Sequence, residues 1–119
     1  MKSIFVTIIM ILIFNIANAQ QIGDCRVGSS SIDVFDSNGS YACSINLKSG
    51  AELSGFSSSI VVITEGSSAN VFNGKGQFLS SISLRTGAYV KNVVGNTVLI
   101  KDGSMTNVFD SKGNFLRSN

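Results

Sequence analysis

The chain has no histidine, no tryptophan and no proline among its 119 residues. Without histidine, the Ser-His-Asp and Cys-His nucleophilic mechanisms are excluded. Zinc sites of the usual kind go with them, because two cysteines cannot fill a four-ligand shell. Charge is scarce as well, at 13% of residues, with a net of +2 and no basic block or face, so nucleic acid has no electrostatic footing. The carboxylates Asp24, Asp33, Asp36, Glu52, Glu65, Asp102 and Asp110 are scattered, most of them at turn positions. A glycosidase pair among them is conceivable, but no pair recurs between the repeats. Gly74-Lys75-Gly76 begins like a phosphate loop but lacks the remaining glycine and does not open a helix. These absences leave no catalytic residue, no metal ligand set and no cofactor to assign, and the chain reads as a non-enzyme.

One long apolar run is present, at the start. The segment MKSIFVTIIMILIFNIANAQ carries Lys2, an apolar stretch from Ile4 to Ile16, and a small-x-small site at Ala17-Asn18-Ala19. That layout is a cleavable secretory signal over residues 1–19, too short in its apolar part for a membrane span. Cys25 follows Gln-Ile-Gly-Asp, which is no lipid-attachment box. The expected mature chain, 20–119, is a single all-β domain with no transmembrane segment, secreted or periplasmic in a bacterial setting. Without Lys2 it holds eight basic against seven acidic residues, along with 19 serines and 12 glycines. Its solubility therefore rests on hydroxyls more than on charge. Asn38-Gly39-Ser40 matches a glycosylation acceptor, but at a turn of an exported bacterial chain it reads as coincidence.

The mature part repeats itself. VFDSNG at 34–39 returns as VFNGKG at 71–76 and VFDSKG at 108–113, each time after 37 residues. Residues 60–82 and 97–119 are identical at 12 of 23 positions, and 30–51 aligns with 67–88. The units run at about 22–58, 59–95 and 96–119. A period of this length marks stacked or closed repeats that bury their faces on one another.

Within a unit the signals are short strands and tight turns. The segments 88–94, 97–101, 106–110 and 113–118 are rich in Val, Ile and Phe and are bounded by turn residues. Alternation of period two places Tyr41, Cys43, Ile45 and Leu47 on one face of a strand. Glu65-Gly66 and Asp102-Gly103 suit two-residue hairpin turns. In the repeated hexapeptide, Asp36, Asn73 and Asp110 are placed to accept backbone N–H groups. Gly39, Gly76 and Gly113 are placed for the left-handed region of a bulged hairpin. Strand counts are three, four and four, so the first unit is one strand short.

The stretch AYVKNVVGNTVLIKDGSMTNVFDSKGNFLRS (88–118) resembles a β-propeller blade of the NHL type, whose hairpins carry a hydrophobic-Phe-Asp-Ser-x-Gly-x-Phe-Leu pattern. The resemblance implies four-stranded antiparallel blades. A propeller needs more blades than one chain holds, which points to subunits sharing a ring, such as two chains making six blades. A three-fold β-prism, a β-trefoil and a β-solenoid are the other closures. The prism lectins' Gln-x-Asp-x-Asn-x-Val-x-Tyr pattern is absent, and the trefoil's Gln-x-Trp is impossible without tryptophan. The expected architecture is all-β, with three repeats, propeller-like or prism-like.

Asp33, Asn70 and Asn107 form one polar column immediately before the Val-Phe pairs. On a strand they share a face with Phe35, Phe72 and Phe109, an amide or carboxylate beside an aromatic, which is a sugar-binding combination. Against that, such side chains commonly bond nearby backbone, and phenylalanines commonly fill cores. Export makes a Cys25–Cys43 disulfide the default, contributing about 3 kcal/mol by loop closure. In a regular meander, however, their strands lie roughly 9–10 Å apart, whereas a disulfide wants Cα atoms within about 7 Å. We expect the bond, formed by displacement of the first strand. The expected function is a secreted or periplasmic binding module for a glycan or an envelope protein, with homo-oligomerisation as an option. A structural protein assembling through open strand edges is the alternative.

Overall fold

The computed structural model describes residues 21–119; the expected signal segment 1–19 and its cleavage site lie outside the described residues. The described chain is all strand and turn. It runs β1 (Ile22–Val27), β2 (Ser31–Asp36), β3 (Tyr41–Asn46), β4 (Ala51–Phe56), β5 (Ile60–Glu65), β6 (Ser68–Asn73), β7 (Phe78–Ser83), β8 (Tyr89–Val94), β9 (Thr97–Asp102), β10 (Met105–Asp110) and β11 (Phe115–Ser118). Three antiparallel meanders result: β1-β2-β3, β4-β5-β6-β7 and β8-β9-β10-β11. Strand order follows chain order because every connection is a short turn. Hydrogen bonding places β4 with the second sheet, whereas the repeat phase read from sequence placed it in the first unit.

Two kinds of turn are written into the glycines. At Gly66, Gly95 and Gly103, φ lies between +56° and +63°, while the following residue keeps a negative φ. A left-handed glycine at the first position of a two-residue loop is a type II′ hairpin, whose twist matches that of the strands. The repeated hexapeptide makes the other kind. Asp36 Oδ1 accepts the N–H groups of Asn38 (2.9 Å) and Ser40 (3.0 Å), and the Asp36 carbonyl accepts from Gly39 (3.0 Å). Asn73 and Asp110 repeat this arrangement one and two sheets on. Each loop is followed by a register shift in the flanking ladder, at Val34/Phe35, Val71/Phe72 and Val108/Phe109.

The sheets pack face to face, with the second in the middle. Its β5, reading Ile60-Val61-Val62-Ile63, is buried on both faces. Val61 and Ile63 join Ile32, Val34 and Ile45 of the first sheet. Ile60 and Val62, with Ala69, Val71 and Ile82, meet Val98 and Ile100 of the third. A strand between two sheets has no solvent face, so it reads as a continuous apolar run rather than an alternation. Each fully buried side chain of this kind contributes about 1.5–3 kcal/mol. The second and third sheets approach most closely through their first strands, β4 and β8. Gly55 makes this approach possible, since a Cβ there would fall 2.9 Å from Val93 Cγ2.

The first sheet's outer face is finished differently. At the 37-residue register, Val61 and Val98 correspond to Asp24, and Ile63 and Ile100 to Arg26. The Asp24 carboxylate holds the Arg26 guanidinium at 3.4 Å, and the guanidinium stacks over Phe35 at 4.9 Å from the ring centroid. Charge stands there where the inner faces carry β-branched apolar residues, as on the capping unit of a stacked array.

The cysteine expectation is corrected. Cys25 and Cys43 are both free. Each pairs with Val34 from an opposite side, so the whole of β2 stands between them. The ladder keeps β1 in the regular meander, held by five registered pairs to β2, and displacing it toward β3 would forfeit those bonds. Burial, with Asp24 and Cys43 nearby, pushes the Cys25 thiol up to about 12, and burial raises Cys43 as well.

Candidate ligand-binding clefts

Sheets that close up along β4 and β8 leave gaps further out, and two of these gaps are equivalent. One, of about 490 Å³, lies between the first and second sheets and is lined by Lys48, Ile63, Glu65, Asn70, Phe72 and Phe78, among others. The other, of about 450 Å³, lies between the second and third sheets, with Arg85, Ile100, Asp102, Asn107, Phe109 and Phe115 in the same places. Each of these six residues maps onto its counterpart by a shift of 37, as do seven of the ten that line each cleft.

The cleft walls follow from the strand register. Asn70 and Phe72 are two residues apart on β6 and face the first sheet together with Ile63. Across the ladder, Asn70 pairs with Ser81, and the Ser81 hydroxyl donates to Asn70 Oδ1 at 2.9 Å. The Ser118 hydroxyl donates to Asn107 Oδ1 in the same way. The aromatic pairs are edge-to-face, Phe72–Phe78 with centroids 5.8 Å apart and Phe109–Phe115 with centroids 5.7 Å apart. The inner ring of each pair is half-buried, while Phe78 is 58% and Phe115 57% exposed, so these rings are cleft rims rather than core.

Charge enters from the facing sheet and from the hairpin ends. Lys48 and Arg85 sit in the loops leading from one sheet to the next, where Gly50 and Gly87 take φ near +85° and Ala51 and Ala88 donate back to the Lys48 and Arg85 carbonyls at 2.9 Å. Glu65 and Asp102 end β5 and β9. Arg85 Nε stands 3.9 Å from Asp102 Oδ2, a contact open to solvent and weak by itself. Each cleft thus carries one cation and one carboxylate, with no net charge.

The first sheet presents the same motif without a facing sheet. The Ser44 hydroxyl donates to Asp33 Oδ1 at 2.7 Å, and the Tyr41 hydroxyl, 2.7 Å from Ser44 Oγ, donates in turn. Phe35 and Tyr41 form the edge-to-face pair. Asp33, Asn70 and Asn107 are therefore bonded to cross-strand serines, not to the local backbone. They do not converge on one site but lie in three successive copies, two enclosed and one open. The turn residues Asp36, Gly39, Asn73, Gly76, Asp110 and Gly113 support the hairpins, and of these Gly76 also touches a cleft. The chain-linking cations Lys48 and Arg85 escaped the sequence reading, as did Glu65 and Asp102 in any role beyond turns. Their signal was recurrence of charge sign at the repeat spacing in LKSGA and LRTGA.

A larger hollow of about 620 Å³ lies between β4 and the segment 84–90, which leads into β8, with Glu52, Thr64, Arg85 and Tyr89 on its wall. It mixes strand-edge and loop groups. Among the described residues no cluster of three metal-ligating side chains occurs, and no helix is long and apolar enough to cross a membrane.

No protein-family model and no curated protein matches the chain. Among solved structures, it is similar to a protein of unknown function from Bacteroides caccae, with 18% identity and a TM-score of 0.53 over 86% of this chain. The chain spans 42% of that protein's length. At this identity the likeness concerns the fold alone.

Proposed function

We propose that the chain is a secreted or periplasmic, non-enzymatic binding module that holds a glycan of the cell envelope in its inter-sheet clefts. Its three sheets are, in this reading, successive blades of a propeller-like stack of the NHL type. The packing of β4 on β8 supports the blade reading, since blades converge along their first strands. The observation that carries the function is the recurrence of one set of side chains in both clefts. An aromatic rim offers a ring face for an apolar sugar face, as binding pockets commonly do with a few placed polar groups. The Asn-Ser pair and the charged side chains supply donors and acceptors for hydroxyls.

A glycan array probed with the protein lacking residues 1–19 tests this reading. Wild type retains one class of glycan, and the Asn70→Ala/Asn107→Ala double variant retains none while unfolding at a similar temperature. An array that stays blank, or one on which the double variant binds as wild type does, refutes it. Bound oligosaccharides recovered with unchanged mass after prolonged incubation are the expected sign of a non-enzyme. An N-terminus at Gln20 on the exported protein checks the processing.

A further inference from the structure

We infer that the two clefts are consecutive stations of one track, and that the ligand is an uncharged linear glycan long enough to occupy both at once. The inference rests on the glycan reading above and adds the length and charge of the ligand. Two observations carry it. Seven of the ten residues lining each cleft are related by a constant shift of 37, so one blade-to-blade step carries most of one cleft onto the other. A ligand that fits one therefore fits the other in the same orientation, which only a repeating chain satisfies in a single molecule. In addition, each cleft is lined by one cation and one carboxylate, Lys48 and Glu65 in the first and Arg85 and Asp102 in the second. A charged polymer would meet one repulsive partner for every attractive one, whereas a neutral chain uses both as hydrogen-bonding groups.

The step between stations is at least the spacing of packed sheets, about 10 Å. A disaccharide cannot bridge that step while filling both clefts, but a chain of six sugars reaches across it. Once the chain is held in one cleft, its second segment meets the other at high effective concentration. Such linkage raises affinity by about 10²–10⁴ without any new contact. The open copy on the first sheet, Asp33 with Tyr41, lies one step further along and extends the track.

Calorimetric titration with cellobiose, cellohexaose and hexagalacturonate, an acidic chain of the same length, tests the inference. For wild type, cellohexaose should bind about 100-fold or more tightly than cellobiose, with one hexamer per protein. Asn107→Ala and, separately, Phe115→Ala should each bring the hexamer down to the affinity of the dimer. Both side chains are at least partly exposed, so the variants should keep their folding temperature, read by thermal denaturation of the same samples. Equal affinity for the two neutral probes in wild type overturns the track and leaves the glycan reading standing. Preference for hexagalacturonate overturns the neutral class. No binding to any of the three, together with a blank array, removes the glycan reading itself and the track with it.

Discussion

The Ser80 hydroxyl donates to the Ser111 carbonyl at 2.9 Å, joining the fourth strand of the second sheet, β7, to the turn of the third sheet. One repeat earlier, Cys43 Sγ makes the same reach to the Gly74 carbonyl at 3.5 Å. The two bonds are one structural device, performed once by a hydroxyl and once by a thiol. Ser80→Ala should therefore lower stability by about 1 kcal/mol, the usual net worth of such a bond. Cys43→Ser should be neutral or stabilising, because it installs the stronger donor already used by its counterpart. Urea unfolding of both variants checks this, and a Cys43→Ser loss larger than that of Ser80→Ala would contradict it.

The turn that receives each of these bonds is itself constrained from both sides. Gly113 has φ of +83°, and a Cβ there would lie 3.3 Å from Ser80 Cβ. Gly39 has φ of +85° with open space around it. Gly39→Val should cost the dihedral strain, about 1–3 kcal/mol. Gly113→Val should cost more, since the added side chain must also push the neighbouring sheet away. Thermal denaturation of the two variants measures the difference, and equal losses would mean the turn does not bear on the second sheet.

The thiols make a chemical prediction. A nucleophilic thiolate is needed for alkylation, and burial, with help from Asp24 and Cys43, holds Cys25 up to about 12. Native protein at pH 8 should react with iodoacetamide far more slowly at Cys25 than does the unfolded chain. A non-reducing peptide map of the exported protein should show two thiols. A Cys25–Cys43 cross-link would contradict the registered β1-β2-β3 ladder.

Asp110 offers a pH test with a defined sign. The Asn114 backbone N–H chiefly holds its carboxyl below the usual range, with further help from the Asn114 side chain, the Lys112 N–H and the Lys112 charge. A depressed folded value contributes stability that is present above the unfolded value, near 3.9, and that is lost as pH falls through the folded one. Asn73 fills the same place in the second sheet, so Asp110→Asn should fold normally at pH 6. It should lose less of its melting temperature than wild type between pH 6 and pH 3. An identical drop in the two proteins would show that Asp110 is not linked to folding.

Much of this fold was legible because its signals are local. The hexapeptide contains its own turn acceptor and its own left-handed glycine, so VFDSNG, VFNGKG and VFDSKG announce hairpins without knowledge of the rest. The three-four-four strand count follows from the same turns. What was not legible depends on what lies across a sheet. Nothing local says that Asn70 will meet Ser81 rather than its own backbone, because that pairing is set by the register of β6 on β7. Phe78 and Phe115 look like core residues by type, yet they stand at the outer strands where the sheets have parted. The disulfide expectation relied on compartment and on a first strand free to shift, whereas the β1-β2 ladder holds that strand in register. Lys48 and Arg85 acquire meaning only when two sheets face each other across a cleft.

The central claim is that the repeated side chains of the two inter-sheet clefts form the ligand-contacting surface. Amide and side-chain NMR shifts followed during titration with cellohexaose test it most directly. Perturbations should gather on Lys48, Asn70 and Phe78 and, equally, on Arg85, Asn107 and Phe115, with saturation at a common ligand concentration. Perturbations confined to the hollow around Glu52 and Tyr89, or shifts absent from both clefts while the ligand binds, would contradict it.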